Sequence, residues 1–316
     1  MGGFLAASTT DLIQSIVMTT ALIVVLCFGT SKAGELDAVM ENARSLPGYL
    51  SMNSTFDAAL NSASPYGIIT NVSTMAWGLG YFGMPHILLR FMAVESEEKL
   101  TLSRRIATAW VFISMGIAVF IGVIGLGMSK NGAIAVLEGS DSETIIVKIA
   151  DLLSSHGVAA ALLADVILAG ILAATISTAD SQLLVAASSV SQNLLSDFLP
   201  IKIAEKASVV IARITVVIIS VIGVFIARDP SSSVFAIVSF AWAGFGAAFG
   251  PVILLALFWK RSNKYGALVG MAAGGIMVFV WKYGVRPMGG AWNIDIIMGN
   301  IISDLCWIES YHIVYI

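Results

Sequence analysis

Charge is what this sequence has least of. Asp, Glu, Lys and Arg make up 12% of its 316 residues while 58% are hydrophobic, and the mean hydropathy is +0.90. Soluble domains carry about 25% charged and about 45–50% apolar residues. There is too little charge here to coat a surface facing water, so lipid is the solvent that makes the composition workable. Cysteine is nearly absent: Cys27 and Cys306 both sit in apolar stretches, which excludes a disulfide framework and a thiolate metal site. His86, His156 and His312 are scattered without ligand spacing. No GxSxG, HExxH or Walker-type loop occurs, so no enzyme constellation is present. The net charge of -3 argues against a nucleic-acid partner. Met1 is followed at once by an apolar run, with neither the basic segment nor the cleavage site of a secretory signal.

What the sequence does have is long apolar runs. A membrane helix takes about 20 mostly apolar residues, and stretches of that kind cover 4–29, 68–91, 105–128, 158–190, 208–227, 233–259 and 265–281. A patchier eighth, 292–316, is interrupted by Asp295, Asp304 and Glu309. The expected fold class is therefore an all-α polytopic membrane protein of seven or eight spans, a single transmembrane domain over 1–316. Residues 142–155, SETIIVKIADLLSS, have helical periodicity with charges on one face and are too short to cross. Short connections carry clustered basic residues: Arg90, Lys99, Arg104 and Arg105, then Lys202 and Lys206, then Lys260, Arg261 and Lys264. These mark the cytoplasmic side, so the first span starts inside.

Three places carry chemistry. In TMAWGLGYFGMPH (74–86), three glycines and a proline fall within eight residues, and such residues cost about 1 and about 3 kcal/mol each in a helix interior. A break at membrane depth is tolerated where freed backbone faces protein or a watery cavity, and broken helices of this kind line solute sites in transporters. Trp77 and Tyr81, four apart, share a helical face; a glycine-rich packing face with two interfacial aromatics fits the same residues. In AATISTADSQ (173–182), Ala174, Ser177 and Thr178 stand at i, i+3 and i+4, placing one carbonyl and two hydroxyls on one face. Hard cations prefer such oxygens, although these hydroxyls equally serve to bond back to their own helix or to join neighbouring helices. They supply three ligands at most, so the remainder of an ion site must come from another helix. Asp11, Asp165 and Asp180 lie inside apolar runs. Acids there are costly at a helix centre, and Asp11 and Asp180 are placed either to draw cations into an inner vestibule or to sit near the headgroups.

The stretches GGFLAASTTDLIQ (2–14), AWGLGYFGMPHILLRFMA (76–93), LAGILAATISTADSQLLVAASS (168–189) and SFAWAGFGAAFGPVILLALFW (239–259) resemble the sodium:solute symporter family, over 2–293 in all. The second stretch resembles its bacterial proline branch. The resemblance implies a LeuT-like inverted-repeat transporter fold, here incomplete. It implies sodium-coupled uptake of proline, or a similar small solute, across the bacterial plasma membrane by alternating access. Sodium would be the coupling ion and the lipid bilayer the surroundings, with no obligate protein partner evident. By position, Trp77, Tyr81 and Pro85 match residues of the proline pocket, and Ser181 falls where some relatives have a cysteine near the solute. Ala174, Ser177 and Thr178 match half of the sodium site on the eighth core helix. Asp11 matches an acid on the fifth core helix that assists sodium along the inner pathway. Met84 replaces a glutamine common before the proline.

The same match implies a chain that begins at the last helix of the first repeat, with Met1 an internal methionine. The tail DIIMGNIISDLCWIESYHIVYI does not resemble the family, as a frameshift or premature end would produce. The expectations to weigh against symport are a non-transporting truncated membrane fragment or sensor, and a sodium symporter for another small solute.

Overall fold

The structure is a computed structural model that describes residues 3–57, 60–75, 77–199, 204–228 and 233–288. The eighth apolar run, 292–316, lies outside the described residues. Among the described residues six helices are long and apolar enough to cross a membrane: Leu5–Ala33, Glu97–Lys130, Val158–Leu195, Lys206–Ile226, Val234–Phe258 and Lys264–Met288. Only 6–28% of their apolar windows is buried inside the protein, so most of that surface faces outward. A water-soluble protein does not leave contiguous apolar surface on this scale bare; this is a multi-pass membrane protein. The apolar run at 68–91 is not among the six, because it is divided into shorter pieces.

The chain forms two compact units, Met1–Ser45 with Ser96–Ser232, and Leu46–Glu95 with Ser233–Ile316. In the first, α1 (Gly3–Ala33) ends at Gly34, whose φ of 98° turns the chain left-handed into α2 (Glu35–Arg44). That conformation is open to glycine and costly for other residues. α6 (Glu97–Lys130) starts on the Ser96 side chain, which accepts the Lys99 amide, and carries Glu97 and Glu98 in its first turn, where acids suit the positive helix end. The expected amphipathic segment is a 3₁₀ turn, Gly139–Thr144, followed by α7 (Ile145–Ser154), which buries Ile149, Ala150 and Leu153. α8 (Val158–Ser188) continues with wider π-helical turns over Ser189–Phe198, and α9 spans Glu205–Ile226.

The core of this unit joins Val25 and Ala33 of α1, Val39 of α2, Ile121, Ile124 and Met128 of α6, the buried face of α7, and Ala164 and Ile167 of α8. At one end, Lys130 Nζ donates to Ser45 Oγ at 2.7 Å and to the Asn42 carbonyl at 3.2 Å, while Asn131 Nδ2 donates to the Lys32 carbonyl at 2.7 Å. α9 shows the other extreme. Only 6% of its apolar window is buried, which leaves its Val, Ile and Phe side chains for lipid.

The second unit holds an antiparallel hairpin, β1 (Ser54–Asp57) with β2 (Ser62–Pro65), in the register Ser54–Pro65 to Asp57–Ser62. Next come α3 (Ile68–Met75), α4 (Trp77–Gly80), a 3₁₀ turn at Tyr81–Gly83 and α5 (Pro85–Met92). α10 (Val234–Phe258) and α11 (Lys264–Val280) complete it, with Ala243, Ala247 and Val278 at their contact.

Candidate functional site

The glycines at 78, 80 and 83 do not share one role. A side chain on Gly80 would run into the Trp242 ring, and one on Gly83 into the Phe245 carbonyl, whereas among the described residues nothing lies within 4 Å of a Cβ at Gly78. Two of the three therefore let the segment lie directly on α10, where a Cβ on Gly246 would come within 2.9 Å of the Gly80 Cα. The helix changes character at that contact. After Gly80 the turn tightens to 3₁₀, the Met84 amide bonds the Tyr81 carbonyl at 3.3 Å, and Met84 itself is extended at φ -87°, ψ 107°. Pro85 then opens α5, a position where its missing N–H would have had no helical partner in any case.

Around that change of direction the aromatic side chains gather on α10. The half-buried Trp77 ring stacks on Phe235 at 5.6 Å and 8° and on Trp242 at 5.7 Å and 15°. Tyr81 meets Trp242 edge-on at 4.7 Å and 81° and remains 48% exposed. Trp242 Nε1 donates to the Trp77 carbonyl at 3.2 Å. The spacing of Trp77 and Tyr81 in the sequence says that they share a face; it does not reveal that Trp242 stands between their two rings. Phe235 and Trp242 are seven residues apart, two helical turns, and that spacing was the available signal.

In the other unit, α8 carries the candidate ion ligands. Ser177 Oγ donates to the Ala174 carbonyl at 3.0 Å, and Thr178 Oγ1 donates to the same oxygen at 3.3 Å. The buried Ser181 Oγ donates to the Ser177 carbonyl at 3.0 Å. The hydroxyls thus bond back to their own helix. A hydroxyl that gives its one hydrogen keeps its oxygen lone pairs, so Ser177 and Thr178 still present acceptor oxygens to a cation. The Ala174 carbonyl is already met by two hydroxyl donors besides its place in the α8 backbone ladder, and as an ion ligand it would need the hydroxyls to rotate away.

Asp11 Oδ1 and Gln14 Oε1 on α1 are both shielded from solvent, and their i, i+3 spacing puts them on one helical face. Among the described residues Gln14 Oε1 has no hydrogen-bond partner. α1 and α8 meet where Gly170 lies against Ala21. A cavity of about 450 Å³ opens between α1, α8 and α9, with Thr10, Asp180 and Arg213 among mostly apolar walls. It takes in Asp180, which the sequence singles out, and Arg213, which the sequence reading passed over; Asp11, Ser177 and Thr178 are not in its lining. Among the described residues no group of three or more His, Cys, Asp or Glu side chains is gathered for a metal. The oxygens that Ala174, Ser177 and Thr178 would offer a hard cation are a carbonyl and two hydroxyls.

The model of the Sodium:solute symporter family matches residues 1–274. The chain is 39% identical over 286 residues to a sodium/proline symporter of Haemophilus influenzae, covering 89% of this chain and 54% of that protein. It is 36% identical over 303 residues to an osmoregulated proline transporter of Bacillus subtilis, covering 96% and 58%. It is 36% identical over 291 residues to a sodium/proline symporter of Escherichia coli, covering 89% and 54%. The chain thus spans about half the length of the curated relatives it matches.

Proposed function

Because the chain belongs to the sodium:solute symporter family, we propose that this protein carries proline into the cell together with sodium, by alternating access. Its relatives include proteins named for proline transport, and this supports the choice of solute. The observation that carries the reading is the segment Trp77–Pro85, where the helix changes direction at a glycine-mediated contact with α10 and gathers aromatic rings beside it. In this reading Trp77, Tyr81 and Pro85 hold the solute, and Ser181 is counted with them by its position in the family alone. The apolar ring of proline matches aromatic faces, and freed backbone at a helix break offers hydrogen bonds to its charged groups.

Sodium is held by the Ser177 and Thr178 hydroxyls and the Ala174 carbonyl, together with ligands from another helix. Asp11 draws the ion along the inner path. Sodium raises affinity for the solute and the solute raises affinity for sodium by the same factor, since the coupling of two binding equilibria is reciprocal.

Uptake of labelled proline by this chain in proteoliposomes tests the reading. An inward sodium gradient should drive accumulation, and replacing sodium with potassium should abolish it. Uptake no greater than in protein-free liposomes favours a non-transporting membrane protein, uptake that persists without sodium removes the ion coupling, and stronger competition by another small solute than by unlabelled proline moves the substrate away from proline.

A further inference from the structure

Trp77 has two neighbours that its own segment does not supply, and one of them also holds its backbone. The Trp242 indole stacks on Trp77 and donates its N–H to the Trp77 carbonyl. It also receives the edge of Tyr81 at 4.7 Å and lies where a side chain at position 80 would have to go. One residue of α10 thus touches the Trp77 and Tyr81 rings, the backbone of the last α-helical turn, and the glycine that permits the contact. Carbonyls in a last turn are short of helical donors, and an indole N–H, a donor only, is suited to answer one of them. Stacked and edge-on ring pairs add preference for a fixed geometry beyond simple burial.

We propose that Trp242 is a positioning residue for solute binding, setting the plane of the Trp77 ring and the approach of Tyr81 without itself touching the solute. The role follows from where the constraints fall. Without Trp242, Trp77 keeps its stacking on Phe235 alone and loses the bond that fixes its backbone. Both rings remain present but gain freedom that binding must then remove, and ordering side chains at a site is paid for in affinity. The inference rests on the reading of Trp77 and Tyr81 as solute-binding residues, so its test needs one readout that does not involve solute.

That readout is circular dichroism in the indole bands. Two indoles 5.7 Å apart couple their transitions and give a paired positive and negative signal. Trp77→Phe and Trp242→Phe in the full chain should each remove the same signal, and the double variant should remove no more. The second readout is sodium-driven proline uptake. Trp242→Phe keeps a ring and loses the N–H, and should raise the half-saturating proline concentration about three- to tenfold, the range of one lost neutral hydrogen bond, with the maximal rate retained. Trp242→Ala should raise it further. Loss of maximal rate at unchanged half-saturation, or no change in either, overturns the proposal, as does a wild-type spectrum without the coupled signal. If the wild-type chain carries no proline, the transport reading fails on its own, and the coupled signal still decides whether Trp242 sets the Trp77 ring.

Discussion

Gly170 of α8 sits against Ala21 of α1 so closely that a β-carbon at position 170 would overlap the Ala21 methyl. Ala21 is buried there, and the contact adjoins the core shared by these helices, with Ile167 of α8 fully buried one turn away. Without a strong hydrophobic drive between helices in lipid, close approach through small residues is what holds such pairs together.

Gly170→Val should therefore lower the stability of the detergent-solubilised chain by about 1–3 kcal/mol, the usual cost of forcing extra carbon into a packed contact. Gly170→Ala should cost less, and Ala21→Gly in the same chain should recover much of that loss. Thermal unfolding of the four-member cycle measures the coupling. Additive losses from the two substitutions would mean that the residues do not meet.

The α8 hydroxyls separate stability from ion binding. Because the Ala174 carbonyl accepts from both Ser177 and Thr178, removing one hydroxyl leaves that oxygen satisfied by the other. Thr178→Val should then shift unfolding in sodium-free buffer by at most about 1 kcal/mol, within the worth of one neutral hydrogen bond. The sodium concentration for half-maximal proline uptake should rise about tenfold or more, in line with loss of a contact to a charged group, and Thr178→Ser should restore much of it. A large stability loss with unchanged sodium dependence would make Thr178 a structural residue only.

Much of this molecule was legible in its sequence, and the unread parts share a cause. Six of the apolar runs fall on α1, α6, α8, α9, α10 and α11, with α6 beginning eight residues before its run at Glu97, whereas 68–91 is divided; lipid favours a continuous apolar stretch for a helical crossing. Membership of the family was equally legible, and the LeuT-like helical fold comes with it. For Ser177 and Thr178 the spacing fixed a shared face but left their bonding open, and back-bonding to Ala174 is what the structure adds. Trp242 and Phe235 were missed as neighbours of Trp77 because local periodicity carries no information about a partner more than 150 residues away. The hairpin Ser54–Pro65 and α2 were missed for another reason. Both lie in the polar stretch between apolar runs: the short strands carry no hydrophobic alternation, whereas Leu36, Val39, Met40 and Ala43 of α2 stand at i, i+3, i+4 and i+7, a helical signal that was available and masked only by the charged residues around it.

Asp11 offers a test that turns on charge. Its carboxyl oxygen Oδ1 is shielded from solvent on a helix of the unit that contains the candidate ion ligands. Asp11→Asn keeps the size and removes the charge. It should raise the half-saturating sodium concentration more than that for proline, and Asp11→Glu should recover part of the effect. A variant whose proline dependence suffers first would remove Asp11 from the ion path.

Lys282 places a cation within the apolar helix Lys264–Met288. Its Nζ stands 3.7 Å from the centroid of Phe240 and 5.5 Å from that of Tyr283, and Phe279 links the two rings, edge-on to Phe240 at 5.5 Å and stacked on Tyr283 at 6.4 Å. A desolvated ammonium over an aromatic face contributes about 1–2 kcal/mol, and the long apolar stem of lysine covers ring surface as well. Lys282→Met keeps the stem and removes the charge, so it isolates the cationic part: unfolding should become easier by about 1 kcal/mol. Lys282→Arg, which also sits well on ring faces, should stay near wild type. Phe240→Leu should cost stability in the wild-type chain and cost less in the Lys282→Met background. Equal costs in both backgrounds would show that Lys282 and Phe240 are neighbours without being energetically coupled.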